Sequence, residues 1–217
     1  MTDDWKLILK VILGSAVLIV VVIFGLSKMA GTGNSLTADQ NLLTDGAKLI
    51  KENGETKVSV VNFSDLECPA CKRAHELLAS LNTTAGVKMV FRYFPLGIHK
   101  YGPISAKAVE SARLMGKSTG SADKGWEMVD LLFAKQDDWS AEPKIEDKLV
   151  EYARGMGLDG AVFRDKLNSA EVATAVQQDI NLGDSLKLSG TPTIYVNGEQ
   201  VASDFVVAKV NELLKVK

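Results

Sequence analysis

The sequence predicts an α/β fold in which a block of helices interrupts a β-sheet, preceded by an N-terminal transmembrane helix. Two runs with the alternation and β-branched residues of strands, 57–63 and 87–94, flank a segment with helical spacing. The apolar residues of 103–186 then repeat only at helical spacing. An Asn197-Gly198 pair between two alternating runs is typical of a β-hairpin and marks the return to the sheet.

Residues 1–27 are interpreted as a short cytoplasmic tip followed by a membrane anchor. The stretch 11–26 contains no charged residue. Starting the span at Leu7 gives about the 20 residues that cross a bilayer. Lys10 then lies near one end of the span, where its side chain can reach the interface. The segment is therefore long enough to remain in the membrane as an uncleaved anchor.

The lysines around this span give a weak preference for a cytoplasmic N-terminus, because basic residues favour the cytoplasmic side. Lys6 and Lys10 precede the span, and only Lys28 closely follows it. This orientation places the rest of the chain outside the cytoplasm. The alternative is a signal peptide that is cut after Ser27 or, less favourably, after Ala30. The remaining domain would then be secreted.

Residues 28–42 are predicted to be a flexible tether, because 31–35 consists of glycine and small polar residues without apolar periodicity. The domain itself is expected to cover 43–217. Its first segment, 45–53, fits either a short helix or a strand. The whole chain has a net charge of -2, and no basic run indicates a nucleic-acid partner.

The two cysteines of the chain occur as Cys68-Pro69-Ala70-Cys71, between a strand and a helix predicted over about 69–82. Free backbone N–H groups at the start of a helix favour an anion, here the Cys68 thiolate, which is the nucleophilic form of cysteine. Pro69 fits the first helical turn, where its missing N–H is not needed. The motif therefore indicates a dithiol/disulfide couple that exchanges with the thiols of other proteins.

Two other interpretations of the cysteines remain open. A purely structural disulfide would close so short a loop that it would remove little entropy from the unfolded chain. A zinc site would use two thiols and two imidazoles, namely Cys68, Cys71, His75 and His99. His75 shares a helix face with Cys71, whereas His99 lies far downstream on a predicted loop.

The strands on either side of the cysteine helix form a β–α–β unit, which predicts that they are parallel and joined by a right-handed crossover. Pro95 ends the second strand. Amphipathic helices then fill about 103–186, and their apolar stripes are expected to be core. The clearest stripe lies within 145–156. A last helix is predicted over about 204–216.

Four stretches of this sequence share their pattern with a known family. They are Asn62-Phe63-Ser64-Asp65 with the Cys-x-x-Cys; Phe91-Arg92-Tyr93-Phe94-Pro95-Leu96 with His99; the helical block; and Gly190-Thr191-Pro192-Thr193 with Asn197-Gly198. The order of elements resembles a thioredoxin fold interrupted by a helical domain. The sequence resembles the DsbA-like family of bacterial extracytoplasmic thiol–disulfide oxidoreductases over about 45–217.

By this resemblance Cys68 is the attacking cysteine and Cys71 the resolving one. The dipeptide between them, Pro69-Ala70, would influence the reduction potential. The resemblance also implies client proteins that carry cysteine pairs, a membrane redox partner that regenerates the site, and neither a cofactor nor a metal.

Three further positions acquire expectations from the resemblance. Pro192 is expected to be a cis-proline beside the disulfide, and Thr191 to offer its backbone to an incoming substrate strand. Without the resemblance, Thr191-Pro192 would be an ordinary turn before a strand. Asn62 departs from the family, which often has a glutamate six residues before the first cysteine. Asn62 is still expected beneath the active site, but the departure weakens any proton-relay role at this position.

Oxidation of clients is the preferred direction. Isomerases of this family usually carry an N-terminal dimerisation domain, whereas a tether is predicted before this fold. The alternatives are a reductase or isomerase that uses the same cysteines, a metal-binding module using Cys68, Cys71 and His75, and a redox-inert binding domain.

Overall fold

The computed structural model describes residues 37–120 and 123–215. The predicted anchor, 7–26, and most of the predicted tether lie outside these ranges, so both stay predictions. Within the described ranges, no helix is long and apolar enough to cross a membrane.

A mixed β-sheet forms the centre of the domain. In the described part of the chain its strands are ordered β1-β3-β2-β4-β5. Their bounds are β1 Leu49–Glu52, β2 Val58–Ser64, β3 Val87–Tyr93, β4 Thr193–Val196 and β5 Glu199–Gln200. β2 and β3 are parallel, and the other neighbouring pairs are antiparallel. The predicted β–α–β unit is therefore confirmed, and the ambiguous segment 45–53 supplies the edge strand β1.

The described residues form nine α-helices, six of them between β3 and β4. Their bounds are α1 Gln40–Thr44, α2 Pro69–Leu78, α3 Gly102–Thr119, α4 Lys124–Ala134, α5 Gln136–Trp139, α6 Ile145–Gly155, α7 Gly160–Leu167, α8 Ala170–Ser185 and α9 Ser203–Lys215. A 3-10 helix, Ala79–Thr83, continues α2. The predicted fold class, an α/β fold with a helical insertion, is confirmed by this arrangement.

Two clusters of buried side chains lie on opposite faces of the sheet. Val58 and Val60 of β2 belong to the larger cluster, whereas Val61 and Phe63 belong to the smaller one. Successive side chains of a strand point to opposite faces, so this alternation separates the two clusters. The larger cluster includes both cysteines and most of the buried side chains of the helical insertion. The sheet and the insertion therefore share one core at the cysteine helix.

The described domain begins earlier than the sequence predicted. Thr37 forms an isolated β-bridge with Glu199. Leu43 of α1 is fully buried, and buried Arg92 donates to its carbonyl oxygen from two nitrogens, at 2.9 and 3.1 Å. Burial of an apolar side chain and of satisfied polar groups offsets the entropy lost on ordering this segment. Residues 37–42 therefore belong to the folded domain, not to a flexible tether.

Candidate active site

A tight turn carries the chain from β2 into α2. The N–H of Cys68 donates to the Asp65 carbonyl oxygen at 3.1 Å. Cys68 is the N-cap residue of α2, with extended backbone (φ -76°, ψ 122°), and Pro69 occupies the first turn. The Cys68 carbonyl oxygen accepts the N–H groups of Cys71 and Lys72 at 3.1 and 3.2 Å. The Cys68 side chain therefore starts at the helix end where partial positive charge favours a thiolate.

The strand β4 brings Thr191 to this helix end. Thr193 pairs with Phe63 in the antiparallel register between β4 and β2, which aligns the residues before β4 with the cysteine turn. The Cys68 sulfur lies 3.7 Å from the Thr191 carbonyl oxygen and donates its thiol hydrogen to it. The Thr191–Pro192 peptide bond is cis, as the family resemblance implied.

Cys71 lies in a different environment from Cys68. Its relative exposure is 0%, against 7% for Cys68, and both are free thiols. Burial raises the pKa of Cys71 to about 12, because a thiolate loses its hydration there. The backbone N–H of Asp65, 3.5 Å from the Cys71 sulfur, and the hydroxyls of Thr191 and Ser64 oppose this shift only in part. Cys71 is thus a protonated thiol at neutral pH.

A buried carboxylate lies between the cysteine turn and the start of α3. The two Asp65 oxygens accept the N–H of Glu67 at 2.9 Å, the N–H of Leu96 at 2.7 Å and a bond from His99 Nδ1 at 2.7 Å. A Cβ built on Gly102 would meet an Asp65 oxygen at 2.9 Å, so only glycine lets the first turn of α3 come this close. Asp65 therefore ties the cysteine turn to the loop before the helical insertion.

The helical insertion also contacts the exposed side of α2. Lys72 forms an ion pair with Asp137 at 3.0 Å. His75 contacts Asp130 at 2.9 Å, and its ring stacks on Phe133 with 4.8 Å between centroids. These contacts hold the cysteine helix against α4 and α5.

Asn62 lines a small cavity beneath α2. The cavity measures about 10 Å³, and its walls include Asn62, His75, Asn82 and Trp126. The side-chain oxygens of both asparagines and the Trp126 indole nitrogen have no hydrogen-bond partner among the described residues. His75 follows Cys71 by four residues, about one helical turn. The expectation that the Asn62 amide lies near the sulfurs stays a prediction.

The two histidines are engaged away from the cysteines. His75 contacts Asp130, and His99 contacts Asp65. Among the residues that the structure describes, no group of three or more His, Cys, Asp or Glu side chains is arranged to hold a metal ion. The four side chains that the zinc alternative would use are therefore not gathered into one site.

The structure brings together most of the predicted site residues. Cys68 faces the Thr191 carbonyl, and Pro69 and Ala70 follow it in the first turn of α2. No sequence pattern had indicated the bonds of the Asp65 carboxylate or the buried amide of Gln136, which donates to the Cys68 carbonyl oxygen. These partners are separated by 34 and 68 residues, and such spacings carry no local signal.

Comparison with known proteins supports the fold described above. The sequence model of a family described as thioredoxin matches residues 49–216. The fold is similar to that of oxidised BdbD from Bacillus subtilis, with a TM-score of 0.68 and 22% identity over 84% of this chain and 100% of that one. It is also similar to the thiol-disulfide exchange protein α-DsbA2 from Wolbachia pipientis, with a TM-score of 0.65 and 18% identity over 80% and 91% of the two chains.

Curated relatives match a smaller part of much longer proteins. The Na⁺/H⁺ antiporter NhaA 3 of Salinispora tropica is 36% identical over 148 residues, which are 67% of this chain and 21% of that protein. The antiporter NhaA 1 of Salinispora arenicola is 35% identical over the same shares. The chain therefore spans about a fifth of the length of these relatives.

Proposed function

Because the chain belongs to the thioredoxin family and has the fold of the DsbA-like thiol–disulfide oxidoreductases, we propose that it exchanges disulfides with client proteins through Cys68 and Cys71. The observation that carries this proposal is the asymmetry of the two thiols. Cys68 begins a helix beside the Thr191 carbonyl, whereas Cys71 is fully buried with a raised pKa. Such a pair has one attacking and one resolving sulfur.

The exchange proceeds in two balanced steps. A client thiolate attacks the Cys68 sulfur of the Cys68–Cys71 disulfide, which breaks the S–S bond and forms a mixed disulfide. Cys71 leaves and takes up a proton, in keeping with its raised pKa. A second client thiolate then attacks the client sulfur and releases Cys68 as a thiolate. The client loses two electrons, and the protein gains them.

We propose oxidation as the favoured direction. A dithiol protein is a strong oxidant when its reduced form is stabilised. The N-terminus of α2 favours the Cys68 thiolate and so stabilises the reduced form. Cys71 stays a neutral thiol in that form, so it adds no second negative charge next to Cys68. Reduction or isomerisation through the same cysteines is the alternative, and the measured reduction potential distinguishes them.

We propose that the domain works outside the cytoplasm, held at a membrane by residues 7–26 and reoxidised by a membrane redox partner. The Na⁺/H⁺ antiporters that match this chain over about a fifth of their length are membrane proteins. This similarity supports a membrane location for this kind of domain. The protein should stay with membranes after carbonate washing. A soluble form that starts near Ser27 or Gly31 would instead indicate a cleaved signal peptide.

The direct test of exchange uses the purified full chain in detergent. The protein is alkylated before and after reductant and weighed, and it is then mixed with a reduced peptide that carries two cysteines. We expect a disulfide that forms and breaks reversibly and stoichiometric oxidation of the peptide. Copurified zinc that blocks alkylation would favour the metal-binding alternative. Two thiols that never form a disulfide would favour the redox-inert alternative.

A further inference from the structure

A single buried amide of the helical insertion reaches the cysteine turn. Gln136, the first residue of α5, is 3% exposed. Its side-chain nitrogen donates to the carbonyl oxygen of Leu66 at 2.7 Å and to that of Cys68 at 3.1 Å. Both N–H groups of one amide thus hold two carbonyls of the turn that delivers Cys68 to α2.

The orientation of these carbonyls determines where the Cys68 sulfur points. The Cys68 carbonyl also accepts the N–H groups of Cys71 and Lys72, which close the first turn of α2. A peptide plane is rigid, so fixing the carbonyl before Glu67 and the carbonyl after Cys68 limits rotation of the backbone between them. The Cys68 sulfur is thereby held at the helix N-terminus and 3.7 Å from the Thr191 carbonyl oxygen.

We propose that Gln136 is a positioning residue that raises the oxidising strength of the Cys68–Cys71 pair. This inference rests on the proposed thiol–disulfide exchange. The helix N-terminus stabilises a Cys68 thiolate more than a Cys68 sulfur bound in a disulfide, because only the thiolate carries a full charge. Any loss of alignment therefore destabilises the reduced form more than the oxidised form. Gln136 acts through the backbone and does not touch the reacting sulfurs.

A purely structural role for Gln136 makes a different prediction. If the amide only fastens the insertion to the sheet, its removal lowers the stability of both redox forms equally and leaves the potential unchanged. Trp139, in the same short helix, offers the control. Its side chain is fully buried, and its indole nitrogen donates to the Leu132 carbonyl oxygen at 2.7 Å. That bond lies within the insertion and does not reach the cysteine turn.

The test compares Gln136→Met with Trp139→Phe in the full chain. Methionine approximately keeps the volume of the glutamine side chain and removes both donors. Each variant is equilibrated with reduced and oxidised glutathione, and its redox state is read from alkylated masses. We expect Gln136→Met to lower the equilibrium constant for oxidising glutathione about tenfold, or about 30 mV for a two-electron couple. Trp139→Phe should stay within about twofold of the wild type, far below that shift.

Unfolding supplies a second readout. The difference in stability between the reduced and oxidised forms is linked to the reduction potential by a thermodynamic cycle. It should shrink in Gln136→Met and stay constant in Trp139→Phe, even if both variants are less stable than the wild type. If Gln136→Met does not fold, Gln136→Asn replaces it. That variant keeps the amide on a shorter side chain, reaches at most one carbonyl, and should give an intermediate shift.

The outcomes separate this inference from the proposed function. If the wild type forms no reversible disulfide, the proposed function fails and the inference fails with it. If the wild type exchanges normally and the Gln136 variants keep its equilibrium constant, only the positioning role is overturned. A shift of equal size in Trp139→Phe would also overturn it, because the effect would then be a general response to weakening α5.

Discussion

The sulfur of Cys68 lies 3.7 Å from the carbonyl oxygen of Thr191, although 123 residues separate them in the sequence. The antiparallel pairing of β4 with β2 creates this contact, and the whole helical insertion lies between the two partners along the chain. The backbone beside the attacking sulfur is therefore where an extended client segment could add its own hydrogen bonds. The proposed nucleophile and the strand end proposed to bind clients therefore lie next to each other.

The two cysteines should trap clients unequally. Cys71→Ser leaves Cys68 able to form a mixed disulfide and removes the thiol that resolves it, so client adducts should accumulate. Cys68→Ser leaves a fully buried thiol with a raised pKa, which should not be attacked. Non-reducing gels of cells that express each variant measure the adducts. Equal trapping by both variants would contradict the assigned roles.

The reduced protein should lose stability at alkaline pH through Cys71. Burial raises the pKa of Cys71 from the ordinary 9.0 to about 12. Between these values the unfolded chain has lost the proton and the folded chain keeps it, so the stability that is present below about pH 9 is lost as the pH rises. The expected slope is about 1.4 kcal/mol per pH unit.

Denaturant unfolding of the reduced protein at several pH values measures this slope. Other groups titrate in the same range, so the quantity of interest is the difference between the wild type and Cys71→Ser. Serine does not titrate there, and the slope assigned to Cys71 should be missing from the variant. Identical slopes in the two proteins would mean that Cys71 is less buried than the structure indicates.

The Asp65 carboxylate should be essential for stability. It is fully buried and accepts bonds from two backbone N–H groups and from His99 Nδ1. Asp65→Asn keeps the shape but turns an acceptor into a donor that faces other donors. The expected loss in the free energy of unfolding is about 3 kcal/mol, the range for breaking a buried charged hydrogen-bonded pair.

An exposed ion pair provides the control for Asp65. Asp147 also contacts its partner, Arg164, at 2.7 Å, but the Asp147 side chain is 63% exposed. Asp147→Asn should leave the unfolding midpoint in urea nearly unchanged, because solvent screens exposed pairs. A loss in Asp65→Asn no larger than that in Asp147→Asn would mean that the buried network contributes nothing.

Elements built from neighbouring residues were predictable from the sequence. The hairpin signal of Asn197 and Gly198 corresponds to positive φ values of 47° and 85°, as a type I′ turn requires. The last helix, predicted over 204–216, covers Ser203–Lys215. In each case the pattern and the hydrogen bonds it produces lie within a few residues of each other.

The polar contacts that surround the cysteines were not predictable in this way. Gln136 and Asp65 belong to residue types that are mostly exposed, and nothing near them in the sequence marks them as buried. They become buried because the insertion folds back on the cysteine turn, which is a property of the tertiary structure. The ordered position of Thr37 has the same origin, because its bridge partner, Glu199, is far from it in the sequence although the two are adjacent in the structure.

Asn62 should influence the redox equilibrium through charge. It is 4% exposed and shares a cavity with His75, which follows Cys68 by seven residues on α2. That spacing puts His75 about 10 Å from Cys68 along the helix axis, and we expect a similar distance between position 62 and the Cys68 sulfur. At an effective dielectric constant near 20, a carboxylate at this distance would destabilise a Cys68 thiolate by roughly 1.6 kcal/mol. Asn62→Asp should therefore make the protein a roughly tenfold weaker oxidant.

Asn82 offers a control within the same cavity. It lies in the 3-10 helix that continues α2 and is only partly buried. Along the helix axis it is roughly twice as far from Cys68 as His75 is. At about twice the distance, Coulomb's law gives a charge there about half the effect on the Cys68 thiolate, roughly 0.8 kcal/mol. Equilibration with glutathione should show a roughly tenfold shift for Asn62→Asp and no more than about a fourfold change for Asn82→Asp. Equal shifts, or none in Asn62→Asp, would mean that the amide does not lie beneath the attacking cysteine.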